Sequence, residues 1–172
     1  MAVNEITTTQ LQGKLINCVY EAIERFNSSE FYLIKNNISE RSICSRFAKY
    51  LENVISCSEF SEYIVDVEYN RGYNGDEQAV KRLQGKNITV DLIVHKRGYN
   101  PQSGFDNLIC IEMKKADAPK GKIKADEKRL DMLTQNEYGF CYKAGFMIII
   151  ESNPQIDIHR LTVKTVFLNC GF

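Results

Sequence analysis

The stretch FDNLICIEMKKAD, residues 105 to 117, decides the fold. Its apolar residues run into Glu112, and Lys114 follows two positions later. Residues i and i+2 of a strand project to the same face, so Glu112 and Lys114 share one face while Ile111 and Met113 take the other. A carboxylate and an ammonium at the centre of a sheet are unfavourable unless they have charged partners. The stretch therefore predicts a central strand with a polar site on one side.

Asp91 is the expected partner of this strand's charged residues. It lies in NITVDLIVHK, residues 87 to 96, where apolar and polar residues alternate as they do in a strand. The segment between the two strands contains two glycines and a proline, which suits a hairpin loop. If the strands pair, Asp91 approaches Glu112, and two close carboxylates repel unless a cation lies between them. We therefore expect Asp91 and Glu112 to hold Mg²⁺ or Mn²⁺, with Lys114 beside the ion and the Met113 carbonyl as a further ligand.

The remaining patterns predict a mixed α/β (α+β) domain, a central mixed sheet flanked by helices. Expected helices cover residues 5–27, 39–56 and the segment from Pro119 to about Gly139, and expected strands cover 62–70, 87–96, 106–114, 144–152 and 156–168. A chain of 172 residues suits one domain, 1–172, with an N-terminal helix 5–27, a core 39–152 and a C-terminal strand 156–168.

Composition restricts the classes of function. Lys plus Arg is 22 and Asp plus Glu is 22, so the formal net charge is zero. A polyanion would therefore have to bind at a local basic patch, because the chain as a whole does not attract it. No apolar run approaches ~18 residues and no secretory signal is visible, so we expect a cytoplasmic protein with no membrane segment. The six cysteines form no CxxC pair, and no histidine lies near one at ligand spacing, which argues against zinc.

The motif residues resemble the PD-(D/E)xK phosphodiesterase superfamily, which has a restriction-endonuclease-like fold. The match is VD at 90–91 and IEMK at 111–114, and Val90 stands where the family name has proline. The family order of a helix, three strands, a helix and a strand is similar to the predicted order over residues 39–152. The stretches EYNR, HKRG and NLICIEMKK also look like an uncharacterised bacterial branch of this superfamily.

The resemblance implies a metal-dependent nuclease that hydrolyses DNA phosphodiester bonds. In that family the Asp and the Glu, here Asp91 and Glu112, bind Mg²⁺ or Mn²⁺, and the Lys, here Lys114, assists the attacking water. An acidic residue on the leading helix often completes the metal site, and Glu40 is the position that fits here.

Each of these roles has a structural alternative. Asp91, Glu112 and Lys114 can form an ion pair on a solvated sheet face, although Glu112 shares its predicted face with apolar residues. Glu40 can be a helix-dipole glutamate in the first turn. For the whole chain, the alternative function is a catalytically inactive nuclease-fold module that binds nucleic acid or a protein partner. Sequence-specific cutting by so short a chain would need a homodimer or a partner subunit.

A basic run follows the catalytic strand. Its members are Lys114, Lys115, Lys120, Lys122, Lys124, Lys128 and Arg129, interleaved with Asp117, Asp126, Glu127 and Asp131. The interleaving favours an ordinary solvated helix face for most of them. Lys115 and Lys122 are the better candidates for phosphate contacts because they lie nearest the predicted site. A second D/E-x-K triplet, Asp126 to Lys128, is set aside because residues i and i+2 of a helix do not share a face.

Overall fold

The computed structural model describes residues 8–74, 77–98 and 106–169. Its helices are α1 (Thr8–Lys35), α2 (Glu40–Ser56) and α3 (Lys120–Thr134), with a short 3-10 helix at Asn136–Tyr138. Its strands are β1 (Ile64–Tyr69), β2 (Arg71–Asn74), β3 (Glu77–Val80), β4 (Arg82–Leu83), β5 (Lys86–Asn87), β6 (Val90–His95), β7 (Asn107–Lys115), β8 (Ala144–Asn153) and β9 (Ile158–Leu168). The predicted mixed α/β class and the five predicted strands are confirmed.

Five strands form one mixed sheet in the order β1-β6-β7-β8-β9. The β7–β8 pair is parallel and the other pairs are antiparallel. A parallel pair needs a long crossover, and α3 lies within it, between β7 and β8 in the chain. Residues 107–115 of the quoted stretch therefore form the central strand of the sheet, as their apolar character predicts.

Helices cover both faces of the sheet, with α1 and α2 on one side and α3 on the other. Strand β7 contributes to both cores by alternation. Ile109, Ile111 and Met113 pack in the cluster that contains the buried faces of α1 and α2. Cys110 packs in the cluster that contains α3. Glu112 and Lys114 consequently point to the α3 side.

Two small hairpins lie between β1 and β6 and were not predicted. Their strands of two to four residues are too short to show an alternation of apolar and polar residues. In the second hairpin, Arg82 pairs with Asn87 across a two-residue turn. Gln84 and Gly85 of this turn have φ of 50° and 77°, the left-handed conformations of the turn type that best matches strand twist.

The predicted ends of two helices are wrong. Helix α1 continues past residue 27 to Lys35, with non-helical angles at Glu30 (φ −123°, ψ 16°). Asn27, a poor helix former, is held in place because its side chain exchanges two hydrogen bonds with the backbone of Leu161 in β9, at 3.0 and 2.7 Å. Helix α3 stops at Thr134, and Gly139 ends only the short 3-10 helix, at φ 77°.

The predicted hairpin loop between β6 and β7 falls mostly on residues 99–105, outside the described residues, as do residues 5–7 of the predicted first helix. At the near end of the loop, the Lys96 N–H donates to the Asp106 carbonyl at 2.8 Å. Within the described ranges, no helix has the length and apolar character needed to cross a membrane.

Candidate active site

The pairing of β6 with β7 sets the geometry of the site. Leu92 pairs with Ile111 in an antiparallel register, and one further step sets Asp91 opposite Glu112. The Asp91 carboxylate accepts a hydrogen bond from the Met113 N–H at 2.8 Å, which fixes it against the neighbouring strand. The predicted antiparallel pairing is confirmed, and the two carboxylates project to the same face.

Glu112 is the most buried charged group of the cluster, with 1% of its surface exposed. Burial raises its pKa well above the ordinary value, repulsion from Asp91 adds to the shift, and the charge of Arg129 opposes it. A hydrogen bond between the protonated Glu112 and Asp91 raises the pKa of Glu112 further. This position therefore favours either a proton on Glu112 or additional positive charge beside it.

The Lys114 ammonium lies among three carboxylates. It donates to Glu40 Oε1 at 3.1 Å and to the Met113 carbonyl at 2.7 Å, and it lies 3.5 Å from Asp91 Oδ2 and 3.4 Å from Asp126 Oδ2. Burial acts to lower the pKa of Lys114, but Asp91, Glu40 and Asp126 outweigh it and the pKa is raised. Lys114 is consequently a permanent cation at neutral pH.

Glu40 enters the site from the first position of α2. Ser39 caps the helix, its hydroxyl accepting from the Ser42 N–H at 3.2 Å. The second carboxylate oxygen of Glu40 accepts from the Lys115 N–H at 3.1 Å and so ties the helix to the end of β7. Glu40 therefore lies in the first turn, where a glutamate suits the helix dipole, and also contacts Lys114, while its predicted role as a metal ligand stays a prediction.

Asp126 and Arg129 of α3 complete the cluster, and their predicted place on a solvated helix face is wrong. Asp126 is only 6% exposed, and an Arg129 terminal nitrogen binds its Oδ1. The Nε of Arg129 lies 2.9 Å from Glu112 Oε1. A signal was present in the sequence: Asp126 lies at helical spacing within the buried face formed by Ile123, Leu130 and Leu133.

Negative charge exceeds positive charge in this cluster. The carboxylates are those of Glu40, Asp91, Glu112 and Asp126, and the cations are those of Lys114 and Arg129. Two buried oxygens, Glu112 Oε1 and Asp126 Oδ2, make no hydrogen bond within the described part of the chain. Arg129 Nε makes none there either, so its 2.9 Å approach to Glu112 balances charge without directing an N–H at the oxygen.

The donor set suits a hard divalent cation, because carboxylate and carbonyl oxygens are the ligands that Mg²⁺ and Mn²⁺ prefer. Among the described residues, however, no three His, Cys, Asp or Glu side chains are already arranged around one ion position. Lys114 is the physical reason, since its ammonium lies between Glu40, Asp91 and Asp126. Binding of an ion at Asp91 and Glu112 would require the side chains of the two cations to shift.

A small cavity of about 100 Å³ gives access to the cluster from the α2 side. Its lining residues are Glu40, Arg41, Cys44, Val67, Glu68 and Asp91. Glu68 has φ of 51°, a left-handed conformation that is uncommon for a residue with a side chain, and it pairs with Arg41 at 2.5 Å. Strained backbone of this kind is concentrated near functional sites, and here it lies in the strand next to Asp91.

The two lysines predicted to contact nucleic acid lie at the edge of the cluster. The Lys115 ammonium donates to Asn37 Oδ1 at 2.7 Å, so its side chain leaves the carboxylates while its N–H holds Glu40. Lys122 is exposed on the first turn of α3, one turn before Asp126. Their role in binding nucleic acid stays a prediction.

No family model matches the chain, and no curated protein matches it. Among solved structures, the crystal structure of SSO0001 is similar at 16% identity, over 94% of this chain and 77% of that one, with a TM-score of 0.33. A likeness at that TM-score supports no conclusion about fold family or function.

Proposed function

We propose that this chain is a Mg²⁺- or Mn²⁺-dependent nuclease that hydrolyses phosphodiester bonds in DNA. The observation that carries the proposal is the pair Asp91 and Glu112, opposed across two paired strands, with Lys114 on the same face. Three antiparallel strands followed by α3 and a parallel strand also suit the PD-(D/E)xK, restriction-endonuclease-like resemblance.

In this proposal Asp91 and Glu112 hold the ion, and Glu40 and Asp126 bring further carboxylate charge to it. A bound divalent cation would supply Lewis-acid stabilisation of charge on the attacked phosphate. Asp91 keeps its orientation through the Met113 N–H. Burial raises the pKa of Glu112, and a bound cation would favour its charged, metal-binding form.

Lys114 has the role of a cation and not of a base. Because the neighbouring carboxylates raise its pKa, it stays protonated at neutral pH and cannot take a proton from water. Its ammonium can orient the attacking water and stabilise negative charge that develops on the phosphate oxygens. Lys115 and Lys122 would contact flanking phosphates. We place this activity in the cytoplasm, with a homodimer or a partner subunit supplying sequence preference.

A catalytically inactive module that binds nucleic acid or a protein is the second candidate. The observation that favours it is the position of Lys114 and Arg129, which already neutralise much of the carboxylate charge. In that case the cluster would be a structural ion network between α2, β7 and α3. The two candidates differ in whether the protein binds a divalent cation.

Cleavage assays test the enzyme directly. Plasmid, linear duplex and single-stranded DNA are incubated with millimolar Mg²⁺ or Mn²⁺, using wild type, Glu112→Gln and Lys114→Met. We expect wild type to cut at least one substrate, Glu112→Gln to be inactive, and Lys114→Met to be slower by about 10²–10³-fold, as when one charge-stabilising donor is lost. Lys128→Met is the matched control, because Lys128 is exposed on α3, and it should cut normally.

Calorimetric titration with Mn²⁺ separates the two candidates without any substrate. The nuclease predicts binding by wild type that is lost in Asp91→Asn and Glu112→Gln. The inactive module predicts no binding at millimolar Mn²⁺ by any of them. Without metal, Glu112→Gln should be more stable than wild type above pH 5, by about 0.5–2 kcal/mol, because an acid with a raised pKa loses stability as pH rises from its ordinary pKa toward the raised one. A melt that shows this gain also proves that the variant is folded.

A further inference from the structure

We propose that Arg129 is an exchangeable counterion. In the metal-free protein its guanidinium supplies positive charge to Glu112 and Asp126, and on metal binding it moves outward to a phosphate of the nucleic acid. This inference rests on the proposed metal-dependent nuclease and adds a residue that the sequence motif does not contain.

The contacts of Arg129 differ on its two sides. A terminal nitrogen binds Asp126 Oδ1, one turn earlier on the same helix. Its Nε lies 2.9 Å from Glu112 Oε1, yet neither atom makes a hydrogen bond within the described residues. The Arg129–Glu112 contact is therefore an attraction of charges without directional bonding, and a stronger cation can replace it.

Lys114 is the less exchangeable of the two cations. Its ammonium donates hydrogen bonds to the Met113 carbonyl and to Glu40, so moving it breaks directed bonds. Arg129 makes one directed bond, to Asp126, and none to Glu112, so fewer directed bonds break when it leaves. The first position that a divalent ion can take is consequently the one next to Glu112 Oε1.

Arg129 is more exposed than the carboxylates it contacts, so it can move while they stay in place. Glu112 is 1% exposed and Asp126 is 6% exposed, so packing holds both. The Arg129 side chain is 28% exposed, and its rotatable bonds can carry the guanidinium toward solvent without a change in the helix. A divalent charge a few ångströms away would repel the guanidinium toward solvent.

A displaced guanidinium has a suitable ligand in the proposed substrate. Phosphodiester oxygens accept paired hydrogen bonds from arginine, and the planar donor set of arginine matches them better than a lysine ammonium does. The same residue would thus balance the site before metal binds and hold the nucleic acid afterwards.

Metal affinity provides the first test. Mn²⁺ is titrated into wild type, Arg129→Gln and Lys128→Gln, and binding is measured by calorimetry. Removing a competing cation should tighten Mn²⁺ binding by Arg129→Gln by about tenfold or more. Lys128→Gln makes the same charge change on the exposed side of the same helix and should stay within about twofold of wild type.

Affinity for DNA provides the second test, and here the substitution of Arg129 should weaken binding instead of tightening it. An oligonucleotide is titrated in Ca²⁺, which takes similar oxygen ligands. Arg129→Gln should bind DNA about tenfold more weakly than wild type, the loss expected for one charge-assisted phosphate contact. Lys128→Gln should bind DNA only slightly more weakly than wild type, because it loses only a general attraction to phosphates. If the role of Arg129 is purely structural, Arg129→Gln should bind both Mn²⁺ and DNA more weakly than wild type.

The outcomes separate this inference from the proposed function. If wild type binds Mn²⁺ and Arg129→Gln binds it no more tightly, the counterion role is overturned and the nuclease proposal survives. If Arg129→Gln alone binds Mn²⁺, the counterion role is supported strongly. If neither protein binds Mn²⁺, both proposals fail.

A spectroscopic measurement covers the case in which Arg129→Gln does not fold. The ¹⁵Nε resonance of Arg129, assigned by its absence from the spectrum of Arg129→Lys, is followed in wild type during a Mg²⁺ titration. We expect it to shift with the same midpoint as metal binding. A resonance that stays unchanged while metal saturates the protein would overturn the counterion role.

Discussion

The half-buried Lys114 and the buried Lys81 have pKa shifts of opposite direction, because their neighbours differ. Lys114 lies among carboxylates, which outweigh burial and raise its pKa. Lys81, 4% exposed, donates to the Tyr142 hydroxyl at 2.8 Å and lies within 6 Å of the rings of Tyr69, Phe140 and Tyr142. Aromatic faces attract a cation but do not replace its hydration, so burial lowers the pKa of Lys81 to about 8.

The lowered pKa of Lys81 predicts a pH-dependent stability. Below pH 8 the folded protein carries a buried charge, and this penalty is relieved as pH rises from 8 toward 10.5, so the contribution of Lys81 to stability increases over that range. We expect Lys81→Met to be more stable than wild type at pH 7, by up to about 3 kcal/mol, and to lack that increase. Urea unfolding between pH 7 and 10 measures both effects.

The exposed Lys86 provides the control for this substitution. Lys86→Met should change stability by no more than about 0.5 kcal/mol at any pH in the range. If Lys81→Met is less stable than wild type at pH 7, then the contacts with Tyr142 and the rings outweigh desolvation, and the penalty assigned to the buried charge is wrong.

At the scale of elements, the start of α2 positions a site residue. Sequence features made this element predictable: Ser39 is a good cap, and the apolar residues that follow have helical spacing. The structure adds that the first residue after the cap, Glu40, connects the helix to Lys114 and Lys115 of β7. The cap therefore contributes to the site as well as to the helix.

Ser39→Ala tests this coupling. Loss of the hydrogen bond from the Ser42 N–H should reduce the free energy of unfolding by about 1 kcal/mol. If the proposed metal site is correct, the frayed first turn should also weaken Mn²⁺ binding, because Glu40 loses its fixed position. Ser56→Ala, at the far end of α2, is the control and should leave Mn²⁺ binding unchanged. Equal Mn²⁺ affinity in both variants would show that Glu40 does not depend on the cap.

At the scale of the whole molecule, the site depends on how closely α3 approaches the sheet. Gly145 of β8 makes this approach possible, because an added Cβ would meet Thr134 Cγ2 at 3.2 Å and Cys110 Sγ at 3.3 Å. Such contacts are tighter than ordinary packing, so Cys110 and Thr134, the last residue of α3, would have to shift by a few tenths of an ångström. That helix carries Asp126 and Arg129, which must reach Glu112 and Lys114.

Gly145→Ala should therefore destabilise the protein by about 1–3 kcal/mol, the usual effect of overpacking, and weaken Mn²⁺ binding at the same time. Gly121→Ala is the opposite control on α3, since its Cβ would have no atom within 4 Å. It should be neutral or stabilising by up to about 1 kcal/mol, because alanine favours a helix over glycine. Chemical unfolding and calorimetry of both variants check these expectations, and a stable Gly145→Ala would mean that α3 has room to spare.

The sequence by itself determined the class of fold and the strands of the site. Alternation in residues 87–96 and 106–114 predicted two paired strands, and the i and i+2 rule placed Glu112 and Lys114 on one face, because strand geometry is local. The same locality explains why the start of α2 at Glu40 was predictable. Residue pattern was also enough to single out Asp91 as the partner of Glu112.

Only the tertiary structure decided which side chains from distant elements join the strands. Asp126 and Arg129 belong to a charged helix whose composition suggests solvent, and they enter the site because α3 packs on β7 and β8. The extension of α1 beyond Asn27 likewise depends on its bonds to β9. Burial and electrostatic contact are properties of packing between elements, and a local pattern of residues does not contain that information.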